Sequence, residues 1–194
     1  MKMKEHIVGI LTVLMFFSAS YAAVSEQSAR LESLRKAVEN NKGPEAEKEY
    51  LNAFPTTFEK FKQMFYGNNL DELYDTHSDH LTLLQRLSAK YPEKVLSIWM
   101  GVATNGHWDA DAIGILQHQL AEYGARNTKE LATALLSKPK NQRLSIIRFM
   151  ADVENHYVYQ EYQTIMKNLK ASGYSELYRD FDAAKKDRMK KPDH

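Results

Sequence analysis

From residue 24 onward, apolar positions recur every three or four residues in blocks separated by Gly, Pro, Asn or Ser. No block alternates with a two-residue period long enough to make a strand. The pattern therefore predicts an all-α fold: a stack of antiparallel helical hairpins, as a compact bundle or a short HEAT-like array. Val24 to about Asn41 reads as a charged helix with a narrow stripe of Leu31, Leu34 and Val38. Gly43-Pro44 ends it, and Pro44 suits the first turn of a short helix that reaches Phe54-Pro55. Thr56-Thr57-Phe58-Glu59 reads as a capping box with Thr56 as the cap, ahead of Phe58, Phe61 and Phe65 on one core face.

A longer helix is expected from Asn69 to about Lys90, with Leu70, Leu73, Tyr74, His77, Leu81, Leu84 and Leu87 inward. Pro92 opens the next, with Val95, Ile98, Trp99 and Val102 buried, and Gly106 supplies its left-handed end. Asp109 caps a helix that runs to Tyr123-Gly124 and carries Asp111 in its first turn. Helices over Thr128–Ser137, Leu144–Val153 (capped by Asn141), Tyr157–Ala171 and Ser175–Lys190 complete the prediction. The stretch Trp99–Leu120 organises the rest, because it holds both tryptophans and the sharpest reversal. One weak repeat relates Leu96–Ala103 to Leu144–Ala151 at an offset of 48 residues. That offset is near the ~40–47 of HEAT-type helix pairs.

The N-terminus changes the picture. Met1-Lys2-Met3-Lys4, an apolar run from Ile7 to Phe17 and the small-residue pattern Ser20-Tyr21-Ala22 predict a secretory leader, residues 1–22, cut after Ala22. The run is shorter than the roughly 20 residues that span a bilayer. Residues 23–194 are then expected to form a single helical domain, with a charged N-terminal helix, a basic C-terminal tail and no transmembrane segment, in the periplasm or outside the cell. The chain carries 26 Lys and Arg against 25 Asp and Glu. Removing Lys2, Lys4 and Glu5 with the leader leaves the two equal, which argues against phosphate-driven nucleic-acid binding. There is no cysteine, so thiol nucleophiles, thiolate metal sites and disulfides are excluded.

Candidate chemistry is sparse. Asp111, His118 and Glu122 share a polar helix face at spacings of seven and four, with His107 close by. Asp71, Asp75, His77, Asp79 and His80 make a second dense patch. A divalent ion such as Zn²⁺ held by His77, His107, Asp111 and His118 is the one cofactor this pattern admits. The ordinary alternative comes first, because neither His-Glu-x-x-His nor His-x-x-x-His is present. In it, Asp111 serves the helix N-terminus, His118 pairs with Glu122, and His77 is a hydrogen-bonded core residue. Gly-x-Ser-x-Gly and a phosphate-cradling glycine loop are absent from the sequence, and nothing selects Asp109 or Asp111 for acid–base work.

Tyr157 and Tyr159 cannot both face inward on one helix, and exposed tyrosine suits protein interfaces. Together with Trp108 and Asp109 at the central turn, they are the candidate protein-binding residues. Lys185–Lys191 reads as a solvated basic tail.

The blocks Phe54-Pro55-Thr56-Thr57-Phe58, Leu73-Tyr74-Asp75 and Gly106-His107-Trp108-Asp109-Ala110-Asp111-Ala112 resemble segments of uncharacterised small secreted or cell-envelope helical proteins of bacteria. That resemblance implies no activity and no catalytic residues. In general type, the chain is similar to small helical immunity factors that bind toxins in the bacterial envelope. The leading expectation is a non-enzymatic protein-binding module, immunity- or inhibitor-like in its most concrete form, with another protein of the cell envelope as partner. A metal-dependent envelope protein and a purely structural envelope protein are the alternatives.

Overall fold

The computed structural model describes residues 24–66, 73–109, 111–153 and 159–191. The expected leader, Leu70 and Tyr157 lie outside them. The described residues form ten helices and no strand. They are α1 (24–39), α2 (Pro44–Ala53), α3 (Phe58–Phe65), α4 (His77–Ser88), α5 (Pro92–Ala103), α6 (Ala112–Arg126), α7 (Thr128–Leu136), α8 (Lys140–Ala151), α9 (Gln160–Ala171) and α10 (Ser175–Arg188). The chain is all-α, and no helix among the described residues is long and apolar enough to cross a membrane.

Contacts divide the described residues into two compact units, which fall within Met1–Phe54 with Lys62–Asp75 and within Pro55–Phe61 with Thr76–His194. In the first, Leu31, Tyr50, Leu51, Phe54 and Phe65 are almost fully buried. Tyr50 meets Phe54 edge-on at 5.8 Å, a favourable aromatic geometry. Arg35, one helical step beyond Leu31 on the α1 stripe, is also buried and is held between Glu32 and Glu39, each at 2.8 Å. Such a pair satisfies a cation that burial would otherwise penalise.

In the second unit, α6 is the middle helix and packs against α4, α5, α7, α8 and α9. The two repeat-like segments fall in α5 and α8, which pack on one another. Trp99 is the largest fully buried side chain and lies 5.6 Å from Tyr123. Tyr162, Ile165, Met166 and Leu169 form the buried stripe of α9. Tyr162 donates its hydroxyl proton to the Phe181 carbonyl at 2.8 Å, and burial, then the Asp182 charge, holds its pKa well above 10.0. The folded chain therefore keeps a proton that the unfolded chain releases near pH 10. This contribution to stability is complete below that pH and is lost as pH rises above it. Tyr162→Phe is expected to flatten that alkaline decline, seen as urea midpoints that fall less between about pH 8 and pH 11 than in the parent chain.

Several boundaries differ from those expected. The α3 cap is Thr57, whose hydroxyl accepts from the Lys60 amide at 3.3 Å, one residue later than the capping box placed it. α4 begins at His77, so Tyr74 precedes the helix and is 42% exposed. The histidine buried in the core of α4 is His80, at 0% exposure, whereas His77 is half-buried at the first turn. After α5 the left-handed residue is Asn105, with φ 61°, and Gly106 is required for another reason. A Cβ on Gly106 would stand 2.7 Å from Phe149 and 3.0 Å from Phe58. α6 starts at Ala112 rather than after Asp109, and Asp111 precedes it with φ 54° and no side-chain capping bond. α6 also runs through Gly124 to Arg126, and the missing Cβ at Gly124 admits Leu131 and Ile165. Finally, Arg188 is not in a solvated run: it is 2% exposed.

Candidate functional site

Three places in the second unit gather polar chemistry or open apolar surface. The first is the turn between α5 and α6. Its His107 ring is exposed and lies 4.7 Å from the Phe58 ring. The Trp108 amide donates to Asp152 Oδ2 at 2.9 Å, which ties the turn to the end of α8. The Asp152 carbonyl accepts from Gln117 Nε2 at 2.8 Å, and that same nitrogen donates to the Phe149 carbonyl at 2.8 Å. Arg188 of α10 completes the knot, with Nε and Nη2 donating to the Val153 carbonyl at 3.0 and 2.7 Å and Nε 3.7 Å from Asp152 Oδ1. A cavity of about 190 Å³ lies here, walled by His107, Arg148, Asp152, Asp187, Arg188 and Lys191. Trp108 and Asp109 are both half-buried.

The second place is the outer face of α6. His118 Nδ1 stands 3.4 Å from Glu122 Oε1 at the i,i+4 spacing read from the sequence. Glu122 Oε2 accepts from Gln85 Nε2 of α4 at 2.8 Å and is 3.5 Å from Arg126 Nη2. The edge of the His118 ring meets Tyr159 at 5.0 Å between centroids. Glu161, in the first turn of α9, brings its carboxylate into the same group. One ligand atom each from His118, Glu122 and Glu161 lies within 4.8 Å of the others. Of the four expected metal ligands, the structure brings only His118 into such a group among the described residues; His77, His107 and Asp111 are not members. Glu161 escaped the sequence reading because it lies 39 residues past Glu122 on another helix, and no local spacing announces that α9 packs on α6.

The third is a groove of about 670 Å³ between α5 and α7, which the sequence did not reveal. Leu96, Met100 and Tyr123 are buried beneath it, Ala134 is a half-buried wall, and Glu93 and Glu130 lie on its rim. Burial raises the pKa of Tyr123 first, followed by the negative charges of Glu130 and Glu93, so both carboxylates act on the same hydroxyl. The rim near Tyr123 is therefore acidic. Lys129 and Lys138 line the same groove.

No protein-family model, curated protein or solved structure matches this chain.

Proposed function

We propose that this chain is a non-enzymatic binding module that takes an amphipathic helix of another polypeptide into the groove between α5 and α7. The observation that carries this reading is the groove itself: an opening of about 670 Å³ over buried Leu96, Met100 and Tyr123, with Glu93 and Glu130 on its rim beside the Tyr123 hydroxyl. Helix-in-groove recognition needs an apolar floor for anchors at helical spacing and a polar border that fixes orientation. The acidic rim selects a basic residue beside those anchors, because opposite potentials across an interface set register and partner choice. Periplasmic or secreted location and an immunity- or inhibitor-like role are the specific form of the proposal. They are supported by the leader-like N-terminus and the cysteine-free helical composition. Trp108 and Asp109 at the α5–α6 turn, and Tyr159 beside His118, lie outside that groove.

The test is native mass spectrometry of the chain isolated gently from its own envelope fraction, beside the Ala134→Arg variant. A polypeptide of defined mass is expected on the parent chain and absent from the variant, at unchanged helical circular dichroism. Cross-links from Glu93 or Glu130 should reach a lysine of that partner. Equal retention of the partner by Ala134→Arg would move the interface away from this groove, and a bare chain in both preparations would count against the binding role.

A further inference from the structure

We propose that His118, Glu122 and Glu161 form a binding site for a divalent transition-metal cation of the Zn²⁺ class. The site is separate from the α5–α7 groove and does not depend on that reading.

The ligand chemistry suits such an ion: one imidazole nitrogen and two carboxylate oxygens leave room for water at the remaining position. The three ligand atoms lie within 4.8 Å of one another. Bonds of about 2.0–2.2 Å in a tetrahedron put ligand atoms roughly 3.3–3.6 Å apart. Closure thus asks only for side-chain adjustment, and His118 and Glu122 are already at 3.4 Å. Gln85 holds the far oxygen of Glu122 and leaves Oε1 turned toward His118, while Tyr159 borders the imidazole. Outer groups of this kind orient ligands before the ion arrives. The neighbouring cation is Arg126, 3.5 Å from Glu122 Oε2 with a side chain 65% exposed, so it can swing into solvent when a metal takes its place.

A second observation points to the same cleft. Gln119 lines it beside His118 and Glu122 and is 5% exposed. Its Nε2 is committed to the Leu81 carbonyl at 3.0 Å, which fixes the amide, and its Oε1 is buried with no hydrogen-bond partner. An unpaired buried carbonyl is costly, so this wall of the cleft holds an unmet acceptor. Gly114 stands on the wall of the cleft inside α6, and a Cβ there would meet nothing within 4 Å. A helix-interior glycine with nothing packed on it gives up helix stability without any packing gain, and it leaves space where the ion's waters would sit.

Calorimetric titration of the chelator-treated full chain with zinc chloride tests this. One saturable site is expected. Glu161→Gln and His118→Ala should each weaken it at least tenfold, and His107→Ala should leave it unchanged. Cobalt(II) should give visible absorption in the parent chain that Glu161→Gln abolishes. Circular dichroism confirms folding, and Glu161→Gln, an isosteric change on the first turn of α9, keeps the test valid if His118→Ala misfolds. The proposal is overturned if no saturable binding occurs, or if Glu161→Gln binds zinc as tightly as the parent.

Discussion

Arg188→Met is expected to destabilise the second unit by about 3–5 kcal/mol, the range for breaking a buried, hydrogen-bonded charge pair from one side. Arg188 is 2% exposed, and its guanidinium donates twice to the Val153 carbonyl while standing 3.7 Å from Asp152 Oδ1. Methionine fills much of the volume but donates nothing. The Val153 carbonyl loses its side-chain donors, and Asp152, a side chain only 19% exposed, loses its cation while still accepting from Trp108. Arg188→Lys should recover part of the loss, because an ammonium keeps the charge but cannot form the planar fork. Lys186→Met is the control: that lysine pairs with Asp182 at the surface and should leave the urea midpoint where it was. Asp152→Asn combined with Arg188→Met should cost less than the two singles together, since both remove one interaction. A midpoint for Arg188→Met equal to that of Lys186→Met would refute the structural role assigned to the fork.

The same residue shows how far the sequence could be read. Arg188 sits in a run of lysines, and charge density alone assigns the run to solvent. Helical spacing says otherwise: Leu177, Phe181, Ala184 and Arg188 follow one another at four, three and four residues, and all four are buried. The apolar members of the stripe were visible; the arginine that continues it was masked by its neighbours. Helix existence was legible because periodicity is a local property, and so α5, α7 and α10 begin where Pro92, Thr128 and Ser175 indicated. Ends were less legible. Asn105 took the left-handed conformation that Gly106 was expected to supply, because asparagine tolerates positive φ and the glycine was needed for the approach of Phe149 and Phe58. The polar face of α6 could be seen from the spacing of His118 and Glu122. Glu161 and the α5–α7 groove depend on which helices meet, and spacing within one helix carries no record of that.

A glycine series should separate these roles by the sign of its effects. Gly101→Ala is expected to lower stability, because a Cβ on α5 would overlap the Thr56 carbonyl oxygen. Backbone cannot turn aside as a side-chain tip can, so the helix and the 55–57 segment must part. Overpacking of this kind costs about 1–3 kcal/mol, which outweighs the roughly 1 kcal/mol that alanine gains over glycine within a helix. Gly124→Ala should be milder, since the obstructing atoms are the tips of Leu131 and Ile165 and each can shift rotamer. Gly114→Ala should be stabilising by up to about 1 kcal/mol, because a Cβ there meets nothing within 4 Å and only helix propensity changes. The three urea midpoints, measured with an unchanged slope, are therefore expected in the order Gly114→Ala above the parent chain, Gly124→Ala near or below it, and Gly101→Ala lowest. Gly114→Ala serves twice, because it also narrows the cleft beside His118. If it raises stability while weakening zinc binding, the space at that glycine is kept for a ligand; if it raises both, the open wall has no part in holding the ion. A Gly101→Ala chain as stable as the parent would mean that α5 does not approach Thr56 as closely as the structure has it.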